Sequence, residues 1–333
     1  MMNTTYATFD SMWLCAVDDV MQNGDFLASR AGGTKERVFY EATLLLPQHA
    51  VLRTPSRNMS IVYASAELLW YVREVDTADL ILAYAPSYSR FVDENGRAHG
   101  HYGYRWRQQD SFCRYNRCQF VSQIDAAIAY LKKSPETRQC VIDIFNAGDL
   151  LAGMSGQCKD VPCTLCFQLL IRGGELHWKT MMRSNDLWLG MPYDVFCFTS
   201  MQKLIAAAVG VGVGRYCHSV GSMHAYEKDW AKLSSLTPAG DSPGLATTWS
   251  GKQIDYRAQV KAALAFERAT RTVQGVMPAI SSLDGVHPVL RDAALCCGMY
   301  WNMDNKDRFI EEITQTPVKE RATAFTKKEA KLC

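Results

Sequence analysis

VPCTLCFQLLIRGGELHWKTMMRSNDLWLGMPYD, residues 161 to 194, is the stretch that decides the fold. Thr164 to Ile171 alternates and predicts a strand. Gly173-Gly174 is a hairpin turn signal, and Leu176 to Met182 predicts the returning strand. That strand delivers Arg183, Ser184 and Asp186 at its end. Asp194 follows just inside the next helix, which continues as a long buried stretch to Val209. Cys163 stands after a proline at the start of the hairpin. One hairpin and one helix start therefore gather a thiol, a guanidinium, a hydroxyl and two carboxylates. Such a set suits a small anionic substrate.

The rest of the chain sets bounds on this site. At 333 residues and 48% hydrophobic it can bury a substantial core. A net charge of +2 gives no global field for nucleic acid. The first ten residues lack a basic region followed by an apolar core, so no signal peptide is read there. Leu204 to Gly214 is too short and glycine-rich to span a bilayer. A cytoplasmic protein is expected, without membrane or direct nucleic-acid partners.

Twelve cysteines in such a chain are read as free thiols. Cys158, Cys163 and Cys166 raise zinc and redox readings. No second paired CxxC stands at a suitable distance, and Cys296-Cys297 are adjacent. A strand from Thr164 would put Cys163 and Cys166 on opposite faces, whereas a redox pair normally opens a helix. No metal site is expected.

Outside the central stretch, Tyr6 to Met21 has helical spacing and stops at Gly24. Ser29 to Thr34 is a glycine-containing loop around Arg30, and Val38 to Leu46 predicts a strand. Asn58 to Glu74 predicts a helix carrying Glu67-Leu68-Leu69-Trp70. Tyr88 to Trp106 is loop-rich. Gln119 to Lys132 is an amphipathic helix broken at Ser134-Pro135. Thr137-Arg138-Gln139 then leads into a strand from Cys140 to Phe145. Arg215 to Tyr226 predicts a strand ending in His224 and Tyr226. Ser235 to Gly251 reads as a linker, and Ile254 to Ala269 and Val286 to Tyr300 as helices. Thr316 to Cys333 is charged and expected to fray. The organisation expected is a catalytic domain over residues 1–234 and a helical C-terminal extension over 235–333 packed on it.

Several of these pieces resemble the thymidylate synthase superfamily. They are Pro162-Cys163, Gln168, Arg183-Ser184-x-Asp186, Leu189-Gly190-x-Pro192-Tyr193, the ELLW run, the YGxxW run from Tyr102, and an Asp at 194. In thymidylate synthases proper that last position is Asn. An Asp there resembles the (deoxy)cytidylate hydroxymethylases. The resemblance implies an α+β fold: a twisted mixed sheet with helices on one face, dimerising through the other. It implies a catalytic set of Cys163, Glu67, Asp194 and Tyr102. For the substrate it implies Arg30, Arg138, Arg183, Ser184, Gln168, His224 and Tyr226. Arg138 would be donated across a homodimer. Here the family carries two consecutive arginines, and Gln139 departs from that. Asp186 and Tyr88 would meet the folate co-substrate, 5,10-methylenetetrahydrofolate.

The chemistry then implied is covalent. A thiolate adding at C6 of a pyrimidine makes C5 nucleophilic toward a one-carbon unit. Arg183 beside Cys163 would favour the thiolate. Glu67, on an apolar helix face, would carry a raised pKa suited to handling water and protons. Cytosine offers an N4 amine where uracil has an acceptor, and a carboxylate accepts from it. Asp194 therefore points to dCMP 5-hydroxymethylation. CMP hydroxymethylation and a dUMP methylase or hydroxymethylase are the alternatives.

Overall fold

A computed structural model of the chain describes residues 4–29, 32–107, 122–156, 158, 160–237, 253–272 and 278–325. Its strands are β1 (Thr4–Tyr6), β2 (Asp25–Ser29), β3 (Gly32–Leu44), β4 (Val141–Asp143), β5 (Thr164–Arg172), β6 (Glu175–Asp186) and β7 (Gly212–Tyr226). Its helices are α1 (Phe9–Asn23), α2 (Ile61–Arg73), α3 (Asp79–Tyr84), α4 (Tyr102–Arg107), α5 (Gln123–Lys133), α6 (Ala147–Ser155) and α7 (Gly190–Val209), then α8 (Glu227–Ser234), α9 (Tyr256–Thr272), α10 (Pro288–Trp301), α11 (Lys306–Glu312) and α12 (Thr316–Ala324). The strands form one mixed sheet in the order β1-β3-β7-β6-β5-β4, with β2 also paired to β3. β6 and β7 run parallel, as do β1 and β3. The α+β fold expected from the sequence is the fold observed.

The β5–β6 hairpin turns on Gly173 and Gly174, at φ +59° and +77°. A two-residue turn that matches strand twist needs two such left-handed residues, and glycine adopts them without strain. Alternation then sorts the side chains. Phe167, Leu169 and Ile171 of β5 are buried with Leu176, Trp178, Thr180 and Met182 of β6. Helix α7 packs on this face, with the Phe167 and Phe198 rings 4.8 Å apart. Seventeen of its twenty residues are buried, so it is covered all round, by α2 and α5 on the side away from the sheet. Helix α1 lies on the same face, and its buried Trp13 indole donates to the Leu187 carbonyl at 2.8 Å. On the opposite face Gln168, Leu170, His177 and Met181 are only half-buried, and Lys179 pairs with Glu41 at 2.6 Å.

The strands change which residues they bury along a line through Phe39, Gly221 and Arg183. Phe39 takes φ +59°, unusual for a bulky residue. A Cβ at Gly221 would lie 2.8 Å from the Arg183 carbonyl. Past this line β6 buries Asn185 instead of keeping the even positions inside. This kink turns the last residues of β6 and β7 toward the start of α7.

Three expectations need correction. The strand expected from Val38 begins at Gly32, because its first half, Thr34-Lys35-Glu36-Arg37, lacks apolar alternation yet is paired to both β2 and β7. The loop expected around Tyr102 is helix α4. Gly103 lets it cross α2 closely, since a Cβ there would meet the Tyr71 carbonyl at 2.1 Å. The C-terminal stretch expected to fray is docked as far as Phe325. Arg321 is buried and donates to the carbonyls of Leu52 and Thr54 and to Asn58 Oδ1. Its charge looked like a solvated tail, but a guanidinium can satisfy several buried acceptors at once. One continuous apolar core runs from Phe9 to Phe325.

Candidate active site

The nucleophile loop is held by Arg183. Its backbone N–H donates to the Cys163 carbonyl at 2.8 Å. Its side chain donates from Nε to Pro162 O at 3.0 Å and from Nη2 to Val161 O at 2.9 Å. The guanidinium thus fixes the chain on which the thiol sits. It also pulls the Cys163 pKa down, but burial and the charges of Asp194, Asp160 and Asp186 leave it raised. Arg183 favours the thiolate as expected, but desolvation outweighs the single cation, and Cys163 rests as a thiol. Cys166 has other surroundings, with Asp143 as its charged neighbour. A register shift between Thr164 and Cys166 separates the two thiols.

Two carboxylates share the desolvated floor. Glu67 lies on α2, where Tyr63 one turn earlier donates to its Oε1 at 3.0 Å and the Cys197 thiol faces its Oε2 at 3.7 Å. Burial raises its pKa to about 7 against the pull of these donors. Asp194 lies in the first turn of α7. Burial first, and then the charge of Glu67, push its carboxyl well above the usual range. Desolvation and the neighbouring charge both favour its protonated form.

Asp194 ends a buried relay. Asn185 Nδ2 donates to Asp194 Oδ2 at 2.7 Å. Asn185 Oδ1 faces His218 Nε2 at 2.9 Å, and His218 Nδ1 faces the Tyr216 hydroxyl at 2.9 Å. Burial holds the His218 pKa at about 3, so the ring is neutral and has one N–H. With Asn185 Oδ1 as acceptor, that hydrogen is on Nε2 and Nδ1 accepts from Tyr216. The relay therefore orders Asp194: Oδ2 is the acceptor, and Oδ1 is left to carry a proton when the carboxyl holds one.

Around this floor, Tyr102 opens α4 with its ring 5.8 Å from Phe198 and its hydroxyl near Thr164, Cys163 and Asp194. Tyr88 stands edge-on to Trp70 at 5.3 Å, close to Asp160, Glu67 and Cys163. Ser184 Oγ lies 3.4 Å from His224 Nδ1, and the His224 and Tyr226 rings are 4.9 Å apart. Asp186 accepts from the N–H groups of Trp188 and Leu189 at 3.1 and 2.8 Å, closing the turn into α7.

The thymidylate synthase family model matches residues 11–252. The chain belongs to the thymidylate synthase family. Membership carries one-carbon transfer from methylenetetrahydrofolate to a pyrimidine nucleotide as the general activity.

Of the residues expected from the family pattern, Cys163, Glu67, Asp194, Tyr102, Tyr88, Arg183, Ser184, Asp186, His224 and Tyr226 come together at this end of α7. Gln168 does not. It lies on the half-buried sheet face, where its amide donates to the Arg138 carbonyl at 3.1 Å. Strand alternation alone, with Phe167 and Leu169 turned inward, puts it there. Arg138 is exposed before β4, with that carbonyl contact as its tie to the sheet. Arg30 lies outside the described residues. Sequence reasoning passed over Asn185 and His218, although Asn185 stands inside the quoted stretch. It also passed over Asp160, whose half-buried carboxylate accepts from Gly100 N–H at 2.9 Å and faces the Cys163 cluster.

The raised Glu67 pKa has a thermodynamic signature. Between its usual 4.5 and about 7, the folded protein holds a proton that the unfolded chain releases. The stability from this is complete below the unfolded value and is lost as pH rises through about 7. Glu67→Gln should leave the Tm nearly unchanged at pH 5 and raise it at pH 8. The gain at pH 8 should be on the order of 2 kcal/mol. Thermal melts at the two pH values test this, and an unchanged or lower Tm at pH 8 would remove burial as the cause.

Proposed function

We propose that the chain is a deoxycytidylate 5-hydroxymethyltransferase, adding a hydroxymethyl group at C5 of dCMP. The observation that supports this most is the buried carboxyl of Asp194, ordered by Asn185 and pushed toward its protonated form. Cytosine offers an acceptor at N3 and a donor at N4. Asp194 Oδ1–H donates to N3, and Oδ2 keeps a lone pair for the N4 amine. Uracil inverts both contacts, with N3–H against a donor and O4 against an acceptor. The relay through Asn185 and His218 opposes the rotation that would suit uracil.

The same proton serves the chemistry. Cys163 Sγ bonds to C6 as its thiol proton passes to the Asp160 carboxylate that faces it. The C5–C6 electron pair moves to C4–C5, and the C4–N3 pair takes the Asp194 proton at N3. The ring stays neutral, C5 becomes enamine-like, and Asp194 is left as a carboxylate accepting from N3–H and N4. Methylenetetrahydrofolate, when bound, supplies the one-carbon unit. Asp186 and Tyr88 fit it: Asp186 is half-exposed, and each oxygen retains a lone pair for a ring donor. Glu67, with a pKa of about 7, takes a proton from the water that completes the hydroxymethyl group.

The phosphate is assigned to Arg183 Nη1, Ser184 and Arg30, with Arg138 reaching in from a second copy. His224 and Tyr226 are assigned to the sugar. Exposed Val38, Phe39 and Val141 on the sheet strands support pairing with another chain.

Asp194→Asn tests the base reader. Asn presents a carbonyl to N3–H and an amide to O4, as uracil needs, once the Asn185 amide turns over to accept from it and His218 moves its hydrogen to Nδ1. Losing a matched polar contact in a desolvated site costs about 1–3 kcal/mol. The dCMP/dUMP ratio of kcat/KM should fall by roughly tenfold or more. An unchanged ratio would remove Asp194 as the discriminator.

A further inference from the structure

A second cavity lies at the other end of α7. It holds about 500 Å³ between the C-terminal turns of that helix, the start of β7 and the start of α10. That volume is in the range of small-molecule sites. Nine residues of helix separate Asp194 from Lys203 on its wall, about 14 Å along the axis. The cavity is therefore distinct from the Cys163 cluster.

Its walls are apolar at Leu46, Ala207, Val211, Val213 and Val289, with Lys203, Arg215, His287 and Gln48 among them. Lys203 makes no hydrogen bond or ion pair among the described residues. Burial alone lowers its pKa, to about 8, and no nearby carboxylate offsets the loss of water. Glu175 stands on the same wall without acting on it. His287 is buried and stays neutral, its pKa held at about 4 by burial and by the Lys203 charge. Its Nδ1 accepts from Val289 N–H at 3.3 Å, so it brings no negative charge. Buried lysines are ordinarily paired, because an isolated ammonium in apolar surroundings is costly. Here a half-buried ammonium faces a roomy cavity and makes no ion pair among the described residues.

We propose that this cavity binds a small organic monocarboxylate, its head pairing with Lys203 and its apolar body filling the space toward Val211 and Val289. Exposed Arg215 and Glu175, also on the wall, are of opposite sign, so Lys203 is the net cation, and one net positive charge favours a monoanion over a phosphate dianion, which needs more positive charge to leave water. The Gln48 amide is placed to complement the second carboxylate oxygen.

Titration calorimetry of the full chain with 2-naphthoate at pH 7 tests this. One equivalent per chain should bind, and saturating dCMP should not displace it. Lys203→Met keeps the side-chain length and removes the charge, and affinity should fall about tenfold or more. Ala207→Leu keeps the charge but fills the space, and it should weaken binding as well. Either variant is checked for native Tm, and a misfolded one leaves the other to decide. Absence of binding at millimolar 2-naphthoate, equal affinity in a folded Lys203→Met protein, or displacement by dCMP would each overturn the proposal.

Discussion

Cys163→Ala should stop release of tritium from C5 of dCMP and lower turnover by at least roughly 10⁴-fold. No other side chain in the cluster can form the bond to C6. Tyr102 and the neighbouring carboxyls are weaker nucleophiles toward a pyrimidine, and Cys197 lies buried against Glu67. The half-exposed thiol supports little of the core, so the variant should fold, with an unchanged Tm as the check. Cys166→Ala is the control. It sits beyond a register shift beside Asp143 and should retain substantial activity. Loss of activity in Cys166→Ala together with a working Cys163→Ala would refute the covalent mechanism.

The second large effect is a rescue. Arg138 lies on the exposed run before β4, and the Cys163 cluster lies where β6 enters α7. The proposed dimer brings Arg138 of the partner subunit to the phosphate. Arg138→Ala and Cys163→Ala homodimers should each be nearly inactive at low substrate. In a mixed dimer, one site pairs an intact thiol with an intact donated guanidinium, and the other has neither. Random exchange makes half the dimers mixed, so activity should recover toward about a quarter of wild type. If Arg138 served its own chain's site, every mixed-dimer site would carry one defect. No recovery would then follow once exchange was verified by mass.

The central hairpin was legible because its signals are local. Alternation fixed which faces Phe167 and Trp178 take, and a glycine pair fixed the turn. The same logic should have excluded Gln168 from the site, since it has the outward parity of β5. What the sequence hid is long-range. Asn185 bonds Asp194 only because the strands switch faces near Arg183, and His218 reaches Asn185 across two strands 33 residues apart in the chain. No spacing rule announces such a relay. Arg321 is a similar case. A charged residue near the end of the chain reads as solvated until the carbonyls of Leu52 and Thr54 are seen around it. The direction of the Glu67 pKa followed from the family resemblance of the ELLW run, which implies that Glu67 points into the site. That of Cys163 did not, because it depends on how burial and three carboxylates weigh against Arg183.

The proposed activity joins two claims, the base that is read and the group that is added, and one measurement addresses both. Purified protein is incubated with 5,10-methylenetetrahydrofolate and equal concentrations of dCMP and dUMP, and the nucleotides are resolved by mass. The account predicts 5-hydroxymethyl-dCMP as the main product, with tetrahydrofolate released and no absorbance rise from dihydrofolate. A 5-methyl product, or a product formed chiefly from dUMP, would contradict it.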